Sequence, residues 1–438
     1  MQFFRKSIVF ALLLLSASMQ AEEPHPLLSS SHWGAYVIDA DSEEEVYSHN
    51  ASQLFIPASI TKLFTTAVAL EVLGPSHLFY TQVKASALPD EDGLLRGNLY
   101  LVGGGDPSLT SEGLRELARR VSEAGVRTVF GKILIDDSLF NGTSLPIHGE
   151  WEDLSEEYSA EENALSVNDN SVRVVVASNS EKIATIVIEQ DVPYCQLVNK
   201  VTVDQKIQKP SLTICRGLTD NVITVTGAIS TDATLIKRKI AVHHPQEFAK
   251  EIFIKALEER GVLIENSESS ASQEQLYEIA RLPSVPLLLI VNRINKESHN
   301  LSANLLFKAT KTASFLSRAS DSLLYDGAGL SRHNLITPIQ TVALLAYMDK
   351  SCYNLQFLES LPSAGSVGTL AKRFSQEQFP GVVVRAKTGS MSGISNLAGF
   401  IELPCGRRRI FAIFINNSLW SGKETAKALD ELLIQICK

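Results

Sequence analysis

The chain has 438 residues, of which 45% are hydrophobic and 20% are charged, and its formal net charge is -9 at pH 7. This length predicts about three domains, and the hydrophobic content is sufficient to build packed cores. The acidic balance and the lack of a long basic run argue against a nucleic-acid partner.

The N-terminal residues have the pattern of a secretory signal peptide. A basic pair at 5–6 and an apolar run at 8–15 are followed by small residues between 16 and 21 and then by glutamates. The apolar run is too short to span a bilayer comfortably, and no later segment is apolar enough to do so. We therefore predict a signal peptide over residues 1–21, no transmembrane anchor, and a secreted, periplasmic or otherwise extracytoplasmic mature chain.

The first part of the mature chain predicts a β-hairpin followed by a helix. Residues 33–39 and 45–48 have the composition of paired strands, and a proline then introduces a helix over 58–73, which ends at Gly74. Ser59 falls in the first helical turn. The exposed backbone N–H groups and the helix dipole favour a developing negative charge there.

The pattern changes between about residues 75 and 285 and predicts a β-rich module nested in a mixed α/β insertion. The predicted elements are strands at 99–102, 133–135, 172–176, 184–188 and 222–225, and helices over 114–121 and 245–260.

Helices return after residue 286, and the two chain ends together predict one α/β domain with a sheet flanked by helices. The predicted elements are a helix that begins with a capping box at Thr337–Gln340, strands at 382–386 and 410–415, and a last helix through 426–433. The predicted domains are 22–74 with 286–438, an inserted α/β domain from 75–155 with 236–285, and a nested β-rich domain over 156–235.

Three short motifs carry recognisable chemistry, and they occur in the order Ser59-Ile60-Thr61-Lys62, Ser298-His299-Asn300 and Lys387-Thr388-Gly389. On a helix, residues i and i+3 share a face, so the lysine amine can reach the serine hydroxyl and take its proton. The second motif adds a hydroxyl and an amide, and the third adds a cation on a predicted strand. Each motif alone is weak, but the ordered set is typical of serine acyl-transfer enzymes.

With these motifs, the chain resembles the low-molecular-mass class C penicillin-binding proteins, which are D-alanyl-D-alanine carboxypeptidases and endopeptidases. The stretches that carry the resemblance are 55–62, 97–107, 164–170, 295–300, 326–332, 361–365 and 385–390. The resemblance covers almost the whole mature chain, including the large insertion after the first motif. It implies a penicillin-recognising, serine-transpeptidase/β-lactamase-like α/β domain built from both chain ends, with a large inserted α/β plus β-rich region.

The resemblance also implies roles for the motif residues. Ser59 is the expected nucleophile towards the D-Ala-D-Ala carbonyl, and Lys62 is the expected general base. An amine needs desolvation or a neighbouring cation to act as a base at neutral pH. Ser298 is expected to relay a proton to the leaving D-alanine.

The remaining site residues are expected to hold the substrate. Asn300 should bind the substrate amide, and Lys387 should hold the terminal carboxylate. Thr388 and Ser390 should offer hydroxyl groups to that carboxylate. The backbone N–H groups of Ser59 and Ser390 are the expected oxyanion hole.

Two positions depart from the family pattern. His299 stands where the family commonly has aspartate, and Asn304 stands where an acidic residue often follows. Neither position carries the main chemistry in the family, so these departures bear on substrate detail. The loop over 326–332 is expected to be a structured neighbour of the site.

Function is therefore predicted as a serine-type D-alanyl-D-alanine carboxypeptidase, with DD-endopeptidase activity on cross-links as an addition. The partners are peptidoglycan stem peptides, with β-lactam antibiotics as inhibitors that acylate the enzyme. A β-lactamase and a non-catalytic peptidoglycan-binding protein of the same fold are the alternatives. A β-lactamase would need a group that activates water for fast deacylation.

No metal or other cofactor is predicted. The five cysteines fit no zinc motif, and the adjacent pair His243-His244 has no matching ligand spacing, which favours a loop. An extracytoplasmic compartment permits disulfides. Cys195 and Cys215 are the best candidate pair, and five unpaired, mostly buried thiols are the alternative.

Overall fold

The computed structural model describes residues 26–178, 184–231, 235–267, 275–312 and 323–437. The predicted signal peptide lies outside these ranges. Within them, no helix is both long enough and apolar enough to cross a membrane.

Runs of strands and runs of helices follow one another along the described chain. The α-helices are α1 (Pro26–Ser29), α2 (Thr61–Leu73), α3 (Ser111–Glu123), α4 (Pro245–Glu259), α5 (Leu287–Glu297), α6 (Asn300–Thr310), α7 (Pro338–Lys350), α8 (Asn354–Ser360) and α9 (Gly422–Cys437). Short 3₁₀ turns cover Ala58–Ile60, Trp151–Asp153, Glu157–Ser159, Asn168–Asn170 and Gly368–Leu370. The strands are β1 (His32–Asp39), β2 (Glu45–His49), β3 (Tyr80–Ala85), β4 (Leu94–Leu95), β5 (Leu99–Val102), β6 (Thr128–Val129), β7 (Ile133–Asp136), β8 (Ser171–Ser178), β9 (Ala184–Glu189), β10 (Gln196–Val203), β11 (Ser211–Arg216), β12 (Val222–Ile229), β13 (Ile236–Ala241), β14 (Leu263–Ile264), β15 (Tyr277–Pro283), β16 (Val383–Met391), β17 (Ile394–Glu402) and β18 (Arg408–Asn416).

The main sheet is built from both chain ends, as predicted. Its strand order is β16-β17-β18-β1-β2, and all of its pairings are antiparallel. Trp33 in β1 pairs with Ile415 in β18, which joins the start of the described chain to its end. The strand β16, which carries the third motif, lies at the edge of this sheet.

Helices cover both faces of the main sheet, and the central strands are apolar on both sides for that reason. In β18, Phe411 and Ile413 pack in the core that includes α9. Ala412 and Phe414, which alternate with them, pack in the core that includes α2, α5 and α7. The predicted capping box begins α7, because Thr337 Oγ1 accepts from the Gln340 backbone N–H at 3.0 Å.

The helix α2 lies inside this second core. Every residue from Thr61 to Leu70 is buried, which is typical of a helix that is apolar on all sides. Because Lys62 is part of this helix, it is buried in the core. Lysine is rarely buried without partners, so Lys62 is expected to have them.

The insertion has its own sheets and its own core. A four-stranded sheet has the order β15-β3-β5-β7, and three small sheets have the orders β14-β6-β4, β10-β12-β11 and β13-β8-β9. The helices α3 and α4 and strands from all four of these sheets share one apolar cluster. The predicted helices and strands of this region are all present, while the predicted boundaries between its domains stay a prediction.

The candidate disulfide between Cys195 and Cys215 is not formed, because all five cysteines are free. Cys195 directly precedes β10 and Cys215 lies in β11, and β12 runs between these two strands. Two strand spacings alone separate such positions by about 9.6 Å, and a disulfide needs Cα atoms closer than about 7 Å. The thiols are not mostly buried either, since Cys215, Cys352 and Cys405 are exposed.

Candidate active site

The first motif lies where a 3₁₀ turn runs into the buried helix α2. Ser59 is in the turn Ala58–Ile60, and Lys62 is the second residue of α2. The sequence predicted one continuous helix from residue 58. The first three residues instead form a 3₁₀ turn, and Ala58 at its start has a left-handed backbone with φ of 48°. This conformation is costly for a residue with a side chain, and it is held where Ser59 faces the cleft.

Lys62 joins the nucleophile turn to the second motif and to the loop over residues 326–332. Its Nζ lies 2.8 Å from Ser59 Oγ, 2.7 Å from Asn300 Oδ1 and 2.6 Å from the Ala328 carbonyl oxygen. The side chain is fully buried, and this burial lowers the pKa of the amine well below its usual value. The positive charge of Lys387 lowers the pKa further, and the carboxylate of Asp326 opposes both effects. The environment therefore favours the neutral amine.

The orientation of Asn300 makes this amine a base towards Ser59. Asn300 Nδ2 donates to the Tyr158 carbonyl oxygen at 2.9 Å, so Oδ1 faces Lys62. A neutral amine has two protons and one lone pair. If its protons go to Asn300 Oδ1 and the Ala328 oxygen, its lone pair is left for the hydroxyl proton of Ser59.

The second and third motifs meet at Lys387. Its Nζ donates to Ser298 Oγ and to the Thr388 carbonyl oxygen, each at 2.9 Å. Lys387 is fully buried, and this burial lowers its pKa from 10.5 to about 7. Ser298 ends α5 in a left-handed conformation with φ of 61°, and α6 begins two residues later at Asn300. The reversal points Ser298 and Asn300 into the same cleft.

The edge strand β16 has one side that is not paired with another strand of the main sheet, and its backbone N–H groups on that side point out of the sheet. The Ala386 N–H leaves the sheet and donates to the Pro362 carbonyl oxygen at 3.0 Å. N–H groups alternate along a strand, so the N–H of Ser390, four residues on, points to the same outer side. Ser390 is exposed and lines the cleft, and Thr388 Oγ1 donates to Thr369 Oγ1 at 2.9 Å.

The loop over residues 326–332 is a structured neighbour of the site, as predicted. The buried carboxylate of Asp326 accepts from the N–H groups of Gly329 and Ser331, each at 2.6 Å, and from Asn334 Nδ2 at 2.9 Å. These bonds hold the Ala328 carbonyl against Lys62. Gly329 has φ of 84°, and a Cβ there would lie 1.8 Å from the Ala58 oxygen. The close approach of the loop to the nucleophile turn therefore requires glycine.

Sequence reasoning missed the part of the insertion that lines the cleft. A cavity of about 520 Å³ opens at Ser59, Ser298 and Asn300. Its remaining lining residues are Glu150, Asp153, Tyr158, Gly329, Leu330, Arg332, Ser390, Met391 and Ser392. The first three come from the insertion, in or beside 3₁₀ turns whose irregular sequence gives no periodic signal.

The two departures from the family pattern have structural partners. His299 caps α6 through Nδ1, which accepts from the Ser302 N–H, and its Nε2 lies 3.4 Å from Asp169 Oδ1. Asn304 Nδ2 donates to the buried Glu162 at 2.6 Å, and its Oδ1 accepts from the Gly327 N–H at 3.0 Å. Both residues thus join α6 to the insertion, and an aspartate at position 304 would face Glu162 with a like charge.

Comparisons with known proteins identify the family. The model of the D-Ala-D-Ala carboxypeptidase 3 (S13) family matches residues 15–436. A D-alanyl-D-alanine carboxypeptidase of Actinomadura sp. (strain R39) is 32% identical over 94% of this chain and 82% of its own length. A D-alanyl-D-alanine carboxypeptidase of Haemophilus influenzae is 27% identical over 94% and 91%.

A solved structure of a penicillin-binding protein also resembles this chain. The crystal structure of penicillin binding protein 4 from Haemophilus influenzae covers 90% of this chain and 92% of its own, with a TM-score of 0.78 and 25% identity. A second structure of that protein is a complex with a β-lactam and has a TM-score of 0.73 at 24% identity. The resemblance to low-molecular-mass class C penicillin-binding proteins is confirmed, and the chain belongs to the D-Ala-D-Ala carboxypeptidase 3 (S13) family.

Proposed function

We propose that this protein is a serine D-alanyl-D-alanine carboxypeptidase that acts on peptidoglycan stem peptides through an acyl-enzyme. The observation that carries the proposal is the buried Lys62 amine, 2.8 Å from Ser59 Oγ. A lysine whose charged form is disfavoured by burial and which lies within hydrogen-bond reach of a serine is the arrangement that activates a hydroxyl nucleophile. The names of the relatives supply the substrate class.

Acylation begins when Lys62 Nζ takes the Ser59 proton and Ser59 Oγ attacks the carbonyl of the penultimate D-alanine. The negative charge that develops on the carbonyl oxygen is stabilised by the backbone N–H groups of Ser59 and Ser390. The C–N bond then breaks and D-alanine leaves. Its amine takes the proton from Lys62 through Ser298 Oγ, and water later attacks the Ser59 ester to release the shortened peptide.

The terminal carboxylate of the substrate is proposed to bind Lys387. A lysine ammonium has three protons, and among the described residues two of them go to Ser298 Oγ and the Thr388 oxygen. The third is then available for the carboxylate, whose negative charge would raise the pKa of Lys387 from its value of about 7 and keep it charged. The hydroxyl groups of Thr388 and Ser390 line the same strand.

DD-endopeptidase activity is a further part of the proposal, and it is based on the charges at the outer end of the cleft. Arg332 Nε lies 3.1 Å from Glu150 Oε1, and Asp153 accepts from the Tyr158 hydroxyl at 2.8 Å. Groups of both signs suit the meso-diaminopimelate side chain of the donor strand in a cross-link, which carries a free amine and a free carboxylate, whereas the acceptor amine is already part of the scissile amide. The cleavage of D-Ala-meso-diaminopimelate cross-links would use the same acyl-enzyme.

The substrate implies the place of action. Stem peptides lie outside the cytoplasmic membrane, and we propose that the protein acts there after export. β-Lactams are proposed to acylate Ser59, a view supported by the β-lactam complex of the Haemophilus influenzae relative.

The test uses two peptides that differ only in the last stereocentre, one ending in D-Ala-D-Ala and one in D-Ala-L-Ala. We expect D-alanine release from the first peptide, no release from the second, and loss of release after incubation with penicillin. Rapid turnover of penicillin without peptide cleavage would point to a β-lactamase instead. Peptidoglycan binding without either reaction would point to a non-catalytic wall-binding protein.

A further inference from the structure

A group of metal-ligating side chains lies in the insertion, outside the catalytic cleft. Glu161, His243 and His244 each place one ligand atom within 4.8 Å of the others. The Glu161 carboxylate is 3% exposed, and its Oε1 lies 2.5 Å from His243 Nδ1. The two imidazole rings are 3.7 Å apart between centroids, and His244 is exposed.

The two histidines are held in place by their backbone. Asn221 brackets His243, accepting from its N–H at 2.8 Å and donating to its carbonyl oxygen at 3.0 Å. The Tyr194 hydroxyl is 3.0 Å from the same oxygen and 2.9 Å from the carbonyl oxygen of His244. His244 has φ of 56°, a strained value for a residue with a side chain. The surrounding contacts thus fix a costly conformation that brings both rings beside Glu161.

The carboxylate is oriented from its other side as well. Glu161 Oε2 lies 3.3 Å from the His244 N–H and 3.2 Å from Ser144 Oγ, and both groups donate to it. Contacts of this kind orient a metal-binding carboxylate. Within the described part of the chain, neither ring nitrogen of His244 has a hydrogen-bond partner, and its exposure leaves room for water as a further ligand.

We propose that Glu161, His243 and His244 bind a Zn²⁺ ion. Two imidazoles and one carboxylate form a common zinc donor set, with a remaining position for solvent. Sequence spacing gave no hint of this site, because Glu161 is 82 residues away from His243. Binding would replace the hydrogen bond between Glu161 and His243 with two bonds to the metal, and the neutral imidazole of His243 would then carry its one proton on Nε2.

A second group of possible metal ligands lies in the described part of the chain, and it is not proposed as a metal site. Glu157, Asp169 and His299 also bring three possible ligand atoms together. There, however, Asp169 Oδ2 already pairs with Lys239 at 3.0 Å and with Arg293 at 2.7 Å. Two resident cations occupy the place of a metal, so this group forms an ion-pair network.

The zinc ion would act on a segment that supports the catalytic cleft. Glu161 adjoins Glu162, which holds Asn304, and lies three residues after Tyr158, whose carbonyl orients Asn300. A metal between Glu161 and the residues that precede α4 would fasten this segment to the rest of the insertion. The proposal stands independently of the catalytic one, since it concerns different side chains.

The test is calorimetric titration of Zn²⁺ into the tag-free mature protein after treatment with a chelator. We expect one ion per chain. His244→Gly removes the donor atoms of that side chain but accepts a positive φ without strain, so the fold should persist. This variant should bind at least about tenfold more weakly, and Glu161→Gln should do the same. His77→Asn, which alters a histidine elsewhere, is the matched control and should bind like the wild type.

Two results would overturn the proposal. The first is no binding heat above the buffer control with the wild-type protein. The second is equal zinc affinity in the wild type, His244→Gly and Glu161→Gln, which would assign the ion to another site such as the exposed thiols.

Discussion

Replacing Asn300 with aspartate should convert the base of the site into an ammonium ion. The substitution keeps the shape of the side chain and places a carboxylate oxygen where Asn300 Oδ1 now lies, 2.7 Å from Lys62 Nζ. A negative charge at this distance favours the charged amine and raises its pKa. Acylation requires a neutral Lys62, so the variant should acylate slowly at neutral pH although every other site residue is unchanged.

The size of the effect follows from the geometry. At an effective dielectric constant of about 20, unit charges 2.7 Å apart attract by about 6 kcal/mol. If solvent and relaxation remove half of this energy, about 3 kcal/mol remains, which corresponds to roughly two pKa units. Each unit reduces the neutral fraction tenfold wherever the pH is below the pKa. The acid limb of the acylation profile should therefore move by roughly two pH units to higher pH.

The assay is the second-order rate of penicillin acylation measured from about pH 5 to pH 10. Asn300→Ala is the control without an added charge, because it removes the hydrogen bonds of the amide to Lys62 and to the Tyr158 oxygen and leaves a neutral methyl group. The control should lower the rate without moving the limb to higher pH. An aspartate variant that loses the same factor at every pH would refute the reasoning, since it would show that Asn300 acts on substrate binding and not on the charge of Lys62.

Three further outcomes are expected. Lys387→Ala should lower kcat/KM strongly for peptides that end in D-Ala-D-Ala and much less for analogues with an amidated C-terminus, because the amide has no charge to pair with Lys387. Equal losses on the two substrates would show that Lys387 acts on the electrostatic field of the site and does not bind the carboxylate. Gly329→Ala should cost more than 2 kcal/mol, as an order-of-magnitude estimate, because its Cβ would lie 1.8 Å from the Ala58 oxygen. Gly406→Ala, with a similar φ of 80° and nothing within 4 Å, should cost only about 1 kcal/mol in chemical denaturation. Finally, the Lys387 pKa falls from 10.5 to about 7 on folding, so the unfolded chain holds this proton more tightly between those values. The free energy of unfolding should therefore rise with pH from about 7 to about 10, relative to Lys387→Met, by about 1 kcal/mol per pH unit, and parallel curves for the two proteins would contradict this.

The local part of the site could be predicted from the sequence, because it depends on spacing along one element. Ser59 and Lys62 lie one turn apart and in contact, although Ser59 belongs to the 3₁₀ turn before α2, and the third motif lies on a strand, as the residue patterns indicated. The capping box at Thr337 and the stop at Gly74 are local signals of the same kind. The two-ended main sheet followed from the apolar strands at both ends of the chain.

The electrostatic part could not be predicted, because it depends on groups distant in sequence. The depressed pKa of Lys62 requires burial by a core and the positive charge of Lys387, which comes from the third motif near the other end of the chain. The orientation of Asn300 depends on a backbone oxygen of Tyr158, and any residue type could supply that oxygen.

The errors have a physical reason too. The separation of Cys195 and Cys215 along the chain said nothing about the strand β12 between them. The strand β10, which the prediction lacked, is largely solvent-exposed and carries mixed polar residues, so its apolar alternation is weak.

The central claim is that Ser59 is the nucleophile activated by Lys62, and peptide mapping of the penicillin adduct by mass spectrometry tests it most directly. The wild-type protein should carry one penicilloyl group on the peptide that contains Ser59. Ser59→Ala should carry none while it keeps the wild-type melting temperature, because the cleft-lining hydroxyl contributes little to the core. A stable adduct on another serine of that variant would contradict the account.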